Sequence, residues 1–163
     1  MQTMPLPAVE GRIDHMATDL KGQRLFVVAL GNNSLEVLDL RAGKQIHRIR
    51  GLLEPQGVVY IPELNKIFVT NGGDGSCNIF DGESFRLIDT VKFSEDADNI
   101  RYDSRTKRIY VGYGNGALGT IDASSGRQIG DIRLAGHPES FQLEENGQRI
   151  FVNVPTANHI AVI

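Results

Sequence analysis

One six-residue stretch recurs four times along the chain. The copies are Arg24-Leu25-Phe26-Val27-Val28-Ala29, Lys66-Ile67-Phe68-Val69-Thr70-Asn71, Arg108-Ile109-Tyr110-Val111-Gly112-Tyr113 and Arg149-Ile150-Phe151-Val152-Asn153-Val154. The aromatic anchors Phe26, Phe68, Tyr110 and Phe151 lie 42, 42 and 41 residues apart. A fixed period of this size marks a repeat architecture. Each repeat is one supersecondary unit that buries its apolar faces only by stacking on its neighbours.

The second repeat shows the content of a unit. Residues 57–61 are an apolar strand stopped by Pro62. Residues 67–71 are a second strand, rich in β-branched and aromatic side chains. Gly72-Gly73-Asp74-Gly75 is a turn, residues 77–80 a third strand, Asp81-Gly82-Glu83-Ser84 another turn, and residues 87–93 a fourth strand. The other units keep this grammar. Met16, Val58, Ile100 and Phe141 match in the first strand. Leu38, Phe80, Ile121 and Ile163 match in the third, and Ile46, Ile88 and Ile129 in the fourth. Many strands are apolar on both faces, so each sheet is expected to lie between two others. Four-stranded sheets of about 40 residues, repeated radially, are the blades of a β-propeller.

The expected fold is therefore all-β: a β-propeller of four four-stranded blades in a single repeat domain. Residues 10–51, 52–94 and 95–136 form three blades. Residues 137–163 supply three strands of a fourth. Residues 1–9 are a closing strand that completes this blade, within one chain or between chains. The strand itself is placed at Gln2 to Leu6, where Pro5 and Pro7 are tolerated because the position is an outer edge. An unclosed row of four blades exposes the apolar faces of its end sheets, which predicts a homodimer closing an eight-bladed ring. A four-bladed monomer is the other way to close.

Several stretches resemble the YVTN family of β-propeller repeats. Phe68-Val69-Thr70-Asn71 resembles its signature, Pro55-Gln56-Gly57-Val58-Val59 its blade opening, and Ile79-Phe80-Asp81 and Val37-Leu38-Asp39-Leu40 its segment before the turn. The second repeat matches closely, whereas the others keep the spacing and depart in detail. The resemblance implies a propeller of about half the family's usual length, either a fragment of a longer propeller or a half-ring that assembles into a closed one. It also implies a non-enzymatic scaffold that binds a protein or small ligand at the channel mouth, and it allows a periplasmic or secreted location.

The channel mouth is expected where the innermost strands begin. Four matched pairs lie there, 12 and 11 residues before each anchor: Asp14-His15, Gln56-Gly57, Asp98-Asn99 and Glu139-Ser140. Asp14, His15, Gln56, Asp98, Asn99, Glu139 and Ser140 are the candidate ligand-binding residues. The alternative to a ligand site is a solvated channel with structural water. His15, Asp98, Asn99 and Glu139 also have the donor types of a metal ring, and their resemblance to the Glu, Asn and Asp set of the propeller lactonases, without that family's surrounding motifs, implies a metal-dependent lactonase-like hydrolase as the alternative function. No catalytic residue, cofactor or metal is assigned.

Other features read as structural. The two glycine-rich stretches join strands and lead into no helix, so they are hairpin turns rather than phosphate loops. Asp39, Asp81 and Asp122 open equivalent turns and should bond turn amides. Cys77 aligns with Leu35, Leu118 and Ile160, which places it in the core. As the only cysteine it excludes an intrachain disulfide. The recurrent cations Arg24, Lys66, Arg108 and Arg149 are expected to pair with Asp19, Glu63, Asp103 and Glu144. A formal charge of −3 without a basic run argues against nucleic acid as a partner. No apolar run reaches the roughly 20 residues that span a bilayer, so no membrane partner is expected. The N-terminal residues lack the basic start and apolar core of a signal peptide.

Overall fold

The computed structural model describes residues 3–163. Each copy of the recurring stretch becomes the second strand of an antiparallel sheet. The first sheet is β1 (Met16–Asp19), β2 (Arg24–Ala29), β3 (Ser34–Asp39) and β4 (Lys44–Arg50), in that spatial order. The second is β5 (Pro55–Ile61), β6 (Lys66–Asn71), β7 (Ser76–Asp81) and β8 (Leu87–Lys92). The third is β9 (Ala97–Asp103), β10 (Arg108–Tyr113), β11 (Ala117–Asp122) and β12 (Gln128–Arg133). The fourth has three strands, β13 (Ser140–Leu143), β14 (Ile150–Val154) and β15 (His159–Val162). The fold is all-β and propeller-like. No helix among the described residues is long and apolar enough to cross a membrane.

The second strands alternate between two cores. Phe26, Val28, Leu35 and Val37 of the first sheet share a cluster with Val58, Ile67, Val69 and Phe80 of the second. Phe68, Cys77 and Ile79, from the opposite face of the second sheet, share another with Ile100, Ile109, Val111 and Ile121 of the third. Leu118 of the third sheet meets Phe141, Ile150, Val152 and Val154 of the fourth. A strand buried on both faces has no need to alternate, which explains its continuous apolar run. Burial alone pushes the Cys77 thiol up to about 12, as expected of a core residue.

The repeat extends to details of backbone. A register shift occurs between Val37 and Leu38, between Ile79 and Phe80, and between Thr120 and Ile121, so three outer strands carry the same bulge. The turn after the second strand ends in the left-handed region at Asn33, Gly75 and Asn158. Asparagine takes the place of glycine there because it tolerates that region better than other residues. In the first and fourth sheets this turn is a short 3-10 segment, Leu30–Asn32 and Pro155–Ala157, which the sequence reading did not distinguish. Asp39, Asp81 and Asp122 accept turn amides as expected, from Ala42, Ser84 and Ser125 at 2.8, 2.7 and 2.7 Å. These bonds, set against slight desolvation, hold all three carboxyls below their ordinary range.

The recurrent cations do something different from the expectation. Arg24 pairs with Asp19 at 2.7 Å and Arg149 with Glu144, as expected. Glu63 instead pairs with Lys107 at 3.0 Å, and Asp103 with Arg105 at 3.3 Å. Lys66 reaches across to the next sheet, where its ammonium donates to the Ser124 carbonyl at 2.8 Å. Arg24 does the same to the Gly82 carbonyl. Both contacts span 58 residues, so in the first two sheets the repeated cation is a staple to the next sheet, whereas Arg108 makes no ion pair with Asp103.

The expected closing strand within one chain is not formed. Residues 3–6 are not in a strand, and no described residue pairs with the outer edge of β15. Gln2 lies outside the described residues. The reason is distance along the arc. β1 packs on β5, β5 on β9 and β9 on β13, but no comparable packing joins the first sheet to the fourth. The N-terminal segment instead crosses the outer face of the first sheet, where the Arg48 guanidinium donates to the Pro7 carbonyl at 2.9 Å.

Candidate functional site

The first strands of the four sheets converge at one end on a polar cavity of about 470 Å³. All seven residues singled out from the register line it. Asp14 and His15 precede β1, Gln56 lies in β5, Asp98 and Asn99 in β9, Glu139 just before β13, and Ser140 opens β13. Three further residues, Arg12, Asp96 and His137, complete the lining. They were missed, although a signal exists. Each lies 14 residues before an aromatic anchor, two residues upstream of the pairs already matched. In extended chain, positions two apart point to the same side.

The second strands hold these residues in place. Asp14 N–H donates to the Val28 carbonyl and Val28 N–H to the His15 carbonyl, both at 3.0 Å. Glu139 N–H donates to Asn153 at 3.1 Å in the fourth sheet. Between the second and third sheets, the buried Thr70 hydroxyl accepts from Gly57 N–H at 2.9 Å and donates to the Asp98 carbonyl. A Cβ on Gly57 would sit 2.6 Å from that carbonyl, so glycine is required for the close approach of β5 to β9.

The two histidines present similar faces. His15 Nδ1 contacts the Gln56 carbonyl at 3.1 Å and the Asp14 carboxylate at 3.0 Å. His137 Nδ1 contacts the Gly114 carbonyl at 2.7 Å. A carbonyl only accepts, so in each ring Nδ1 carries the hydrogen and Nε2 is left for other partners. His137 Nε2 stands 3.9 Å from Asp98 Oδ2. Burial pushes the Asp98 carboxyl up to about 6, against the opposing pull of His15 and His137.

Two polar groups at the site lack partners. Asn99, 3% exposed, donates through Nδ2 to the Glu139 carbonyl at 2.7 Å, but its Oδ1 has no hydrogen-bond partner among the described residues. The Asp98 side chain accepts no hydrogen bond from the described residues either. Among the same residues, no three His, Cys, Asp or Glu side chains stand close enough to share a metal ion. The ring of His15, Asp98, Asn99 and Glu139 is thus gathered in one cavity without forming a metal-ligand cluster.

No protein-family model matches the chain, and no curated protein does. Solved structures do. One is the hydrazine synthase of Kuenenia stuttgartiensis, with a TM-score of 0.82 and 18% identity; the match covers 91% of this chain. This chain spans 44% of that one. Another is the computationally designed Ika4 protein, with a TM-score of 0.82 and 11% identity over 100% of this chain and 97% of that one. At these identities the likeness shows the fold alone: four stacked antiparallel sheets in a propeller-like arrangement.

Proposed function

We propose that this chain is a non-enzymatic β-propeller scaffold, built of YVTN-like repeats, that binds a small polar ligand at its channel mouth. One observation carries this reading. Matched positions of all four repeats line a single polar cavity, and within it the nearly buried Asp98 carboxylate accepts no hydrogen bond from the described residues. Buried polar atoms are almost always satisfied, and a ligand is one way to satisfy this one. The four histidines supply both probe and control. His15 and His137 line the cavity, whereas His47 stacks on Phe85 and His159 lies in β15. In a screen of small polar molecules followed by histidine side-chain NMR, at least one compound should shift His15 and His137 saturably and leave His47 and His159 in place. A broad panel that leaves the two cavity histidines unmoved would defeat the reading.

The same scaffold closes, in our reading, with a second copy of the chain. The outward face of the fourth sheet carries Phe151 beside Val162 and Asn153 beside Ile160, with Ile160 and Val162 each 58% exposed. It repeats the face by which each earlier sheet receives its successor. The outward face of the first sheet carries the exposed Met16 and, already buried within the chain, Val27 and Leu38, at positions that face the preceding sheet elsewhere. Arg149 occupies the staple position, and the carbonyl matching Gly82 in a following copy is that of Leu40. The N-terminal segment would leave this face and pair with the free edge of β15 in the other copy. Light scattering behind a sizing column should give twice the 17.9 kDa chain mass. Ile160→Asp should return it to the single-chain mass without loss of β structure. A wild-type chain that stays at 17.9 kDa up to high concentration would refute closure by a second copy.

A further inference from the structure

We infer that the cavity takes a small organic cation, an alkylammonium or guanidinium compound; this deepens the ligand-binding reading and rests on it. Four carboxylates line the site: Asp14, Asp96, Asp98 and Glu139. The only arginine or lysine lining it is Arg12, and it pairs with Asp14 at 2.5 Å. Asp96, Asp98 and Glu139 have no ammonium or guanidinium partner among the described residues; Asp96 accepts from Gln56 Nε2 at 3.2 Å and lies 3.7 Å from His137 Nδ1.

The burial pattern separates this arrangement from a solvated acidic surface. Asp98 is 8% exposed and accepts no hydrogen bond from the described residues. An ionised carboxylate in such a place is costly unless a cation or donor reaches it. Next to it, the Oδ1 of Asn99 has no partner, while the Nδ2 of the same amide is fixed on the Glu139 carbonyl at 2.7 Å. That bond sets the orientation of the amide, so the unpartnered atom is the acceptor. At Asp98 and Glu139 the site thus lacks both an ammonium or guanidinium partner and a hydrogen-bond donor among the described residues. An organic ammonium or guanidinium brings both, with several N–H groups directed at separate acceptors. A bare metal ion would need ligands within one coordination sphere, and no three suitable side chains among the described residues are so placed. A cavity of about 470 Å³ is within the range of small-molecule sites.

The neighbours of Asp98 set the direction of the pH response. His15, Asp14, Asp96, His137 and Arg101 all act on it. Below about pH 6 the Asp98 carboxyl takes up a proton. That proton removes the charge an external cation would meet, so binding strengthens as pH rises from 5 to 7.5.

The test uses the full chain, 1,4-diaminobutane as probe and its neutral isostere 1,4-butanediol as control, read at the His15 and His137 side chains. At pH 7.5 the diamine should give a saturable shift and the diol none. Asp98→Asn should weaken diamine binding at least tenfold, and a shift to pH 5 at least fivefold. Glu139→Gln, at an exposed side chain with no ion pair, should weaken it two- to threefold and covers the case in which Asp98→Asn does not fold. An equal response to the diol, or affinity unchanged in both variants, would overturn the inference. So would a linear, unsaturable response, which reports ionic screening only. If the panel finds a neutral or anionic ligand while the diamine is silent, the cation inference falls and the ligand site stands. Silence to both ends both.

Discussion

Phe68→Ala should lower the unfolding free energy by about 3–5 kcal/mol, the range for removing a fully buried aromatic ring from a packed core. Phe68 is 0% exposed and belongs to the cluster between the second and third sheets. Truncation leaves a cavity bounded by two sheets that are themselves held on their other sides, which limits collapse. Denaturant midpoints at constant slope are the appropriate measurement. Phe151→Ala is the internal comparison. Phe151 is the same repeat position, but it lies on the outward face of the last sheet and is only half-buried. In a dilute single chain its loss should be the smaller of the two. Equal losses at low concentration would mean that burial between sheets is not what makes the anchor position costly to change.

Glu36→Ala should cost about 3–5 kcal/mol, the usual penalty for leaving one member of a buried ion pair alone. Glu36 is 0% exposed. Its carboxylate accepts from the Ser34 hydroxyl at 2.6 Å, the Gln45 amide at 2.5 Å, and Arg48 Nε at 2.8 Å to both oxygens. Without it the Arg48 guanidinium, 10% exposed, keeps the Pro7 carbonyl and loses its counterion. The double replacement Glu36→Leu with Arg48→Leu should recover most of the loss, because two charges no longer need partners. A double variant no more stable than Glu36→Ala would show that the pair is not the source of the penalty.

Much of this architecture was legible because its signals are local or periodic. The second strands stand out through Phe26, Phe68, Tyr110 and Phe151, whose spacing no other architecture explains so simply. Asp39, Asp81 and Asp122 were readable because an aspartate bonding amides two and three residues on needs nothing distant. The cation at the head of each second strand was half readable. Asp19 sits five residues before Arg24 and its pairing is local. The staple to Gly82 or Ser124 depends on how one sheet is rotated against the next, which spacing alone does not encode. The cavity was readable at the position 12 residues before each anchor, where Asp14, Gln56, Asp98 and Glu139 are all polar. It was not read two residues earlier. Arg12, Glu54, Asp96 and His137 share that offset, but they mix cation, carboxylate and imidazole, and His137 precedes Pro138, a sequence that also fits an ordinary turn. The closing strand was misplaced for a single chain because sequence complementarity between two ends says nothing about whether they can meet.

The order in which the sheets pack has a consequence for how the cavity behaves in time. Each sheet packs chiefly on its neighbours in the row, so stability is approximately a sum of sheet terms and shared boundaries. Within a single chain the second and third sheets have two boundaries each, and the first and fourth have one. Opening by thermal fluctuation therefore begins at the two ends and moves inward. Gln56, Asp96, Asp98 and Asn99 stay in place through such events, whereas Arg12, Asp14 and His15 leave with one end, and His137, Glu139 and Ser140 with the other. A molecule that bridges the middle of the row to its ends binds only while both ends are seated. By mass action it would clamp them there, so that occupancy of one small cavity becomes the cooperativity of the whole row.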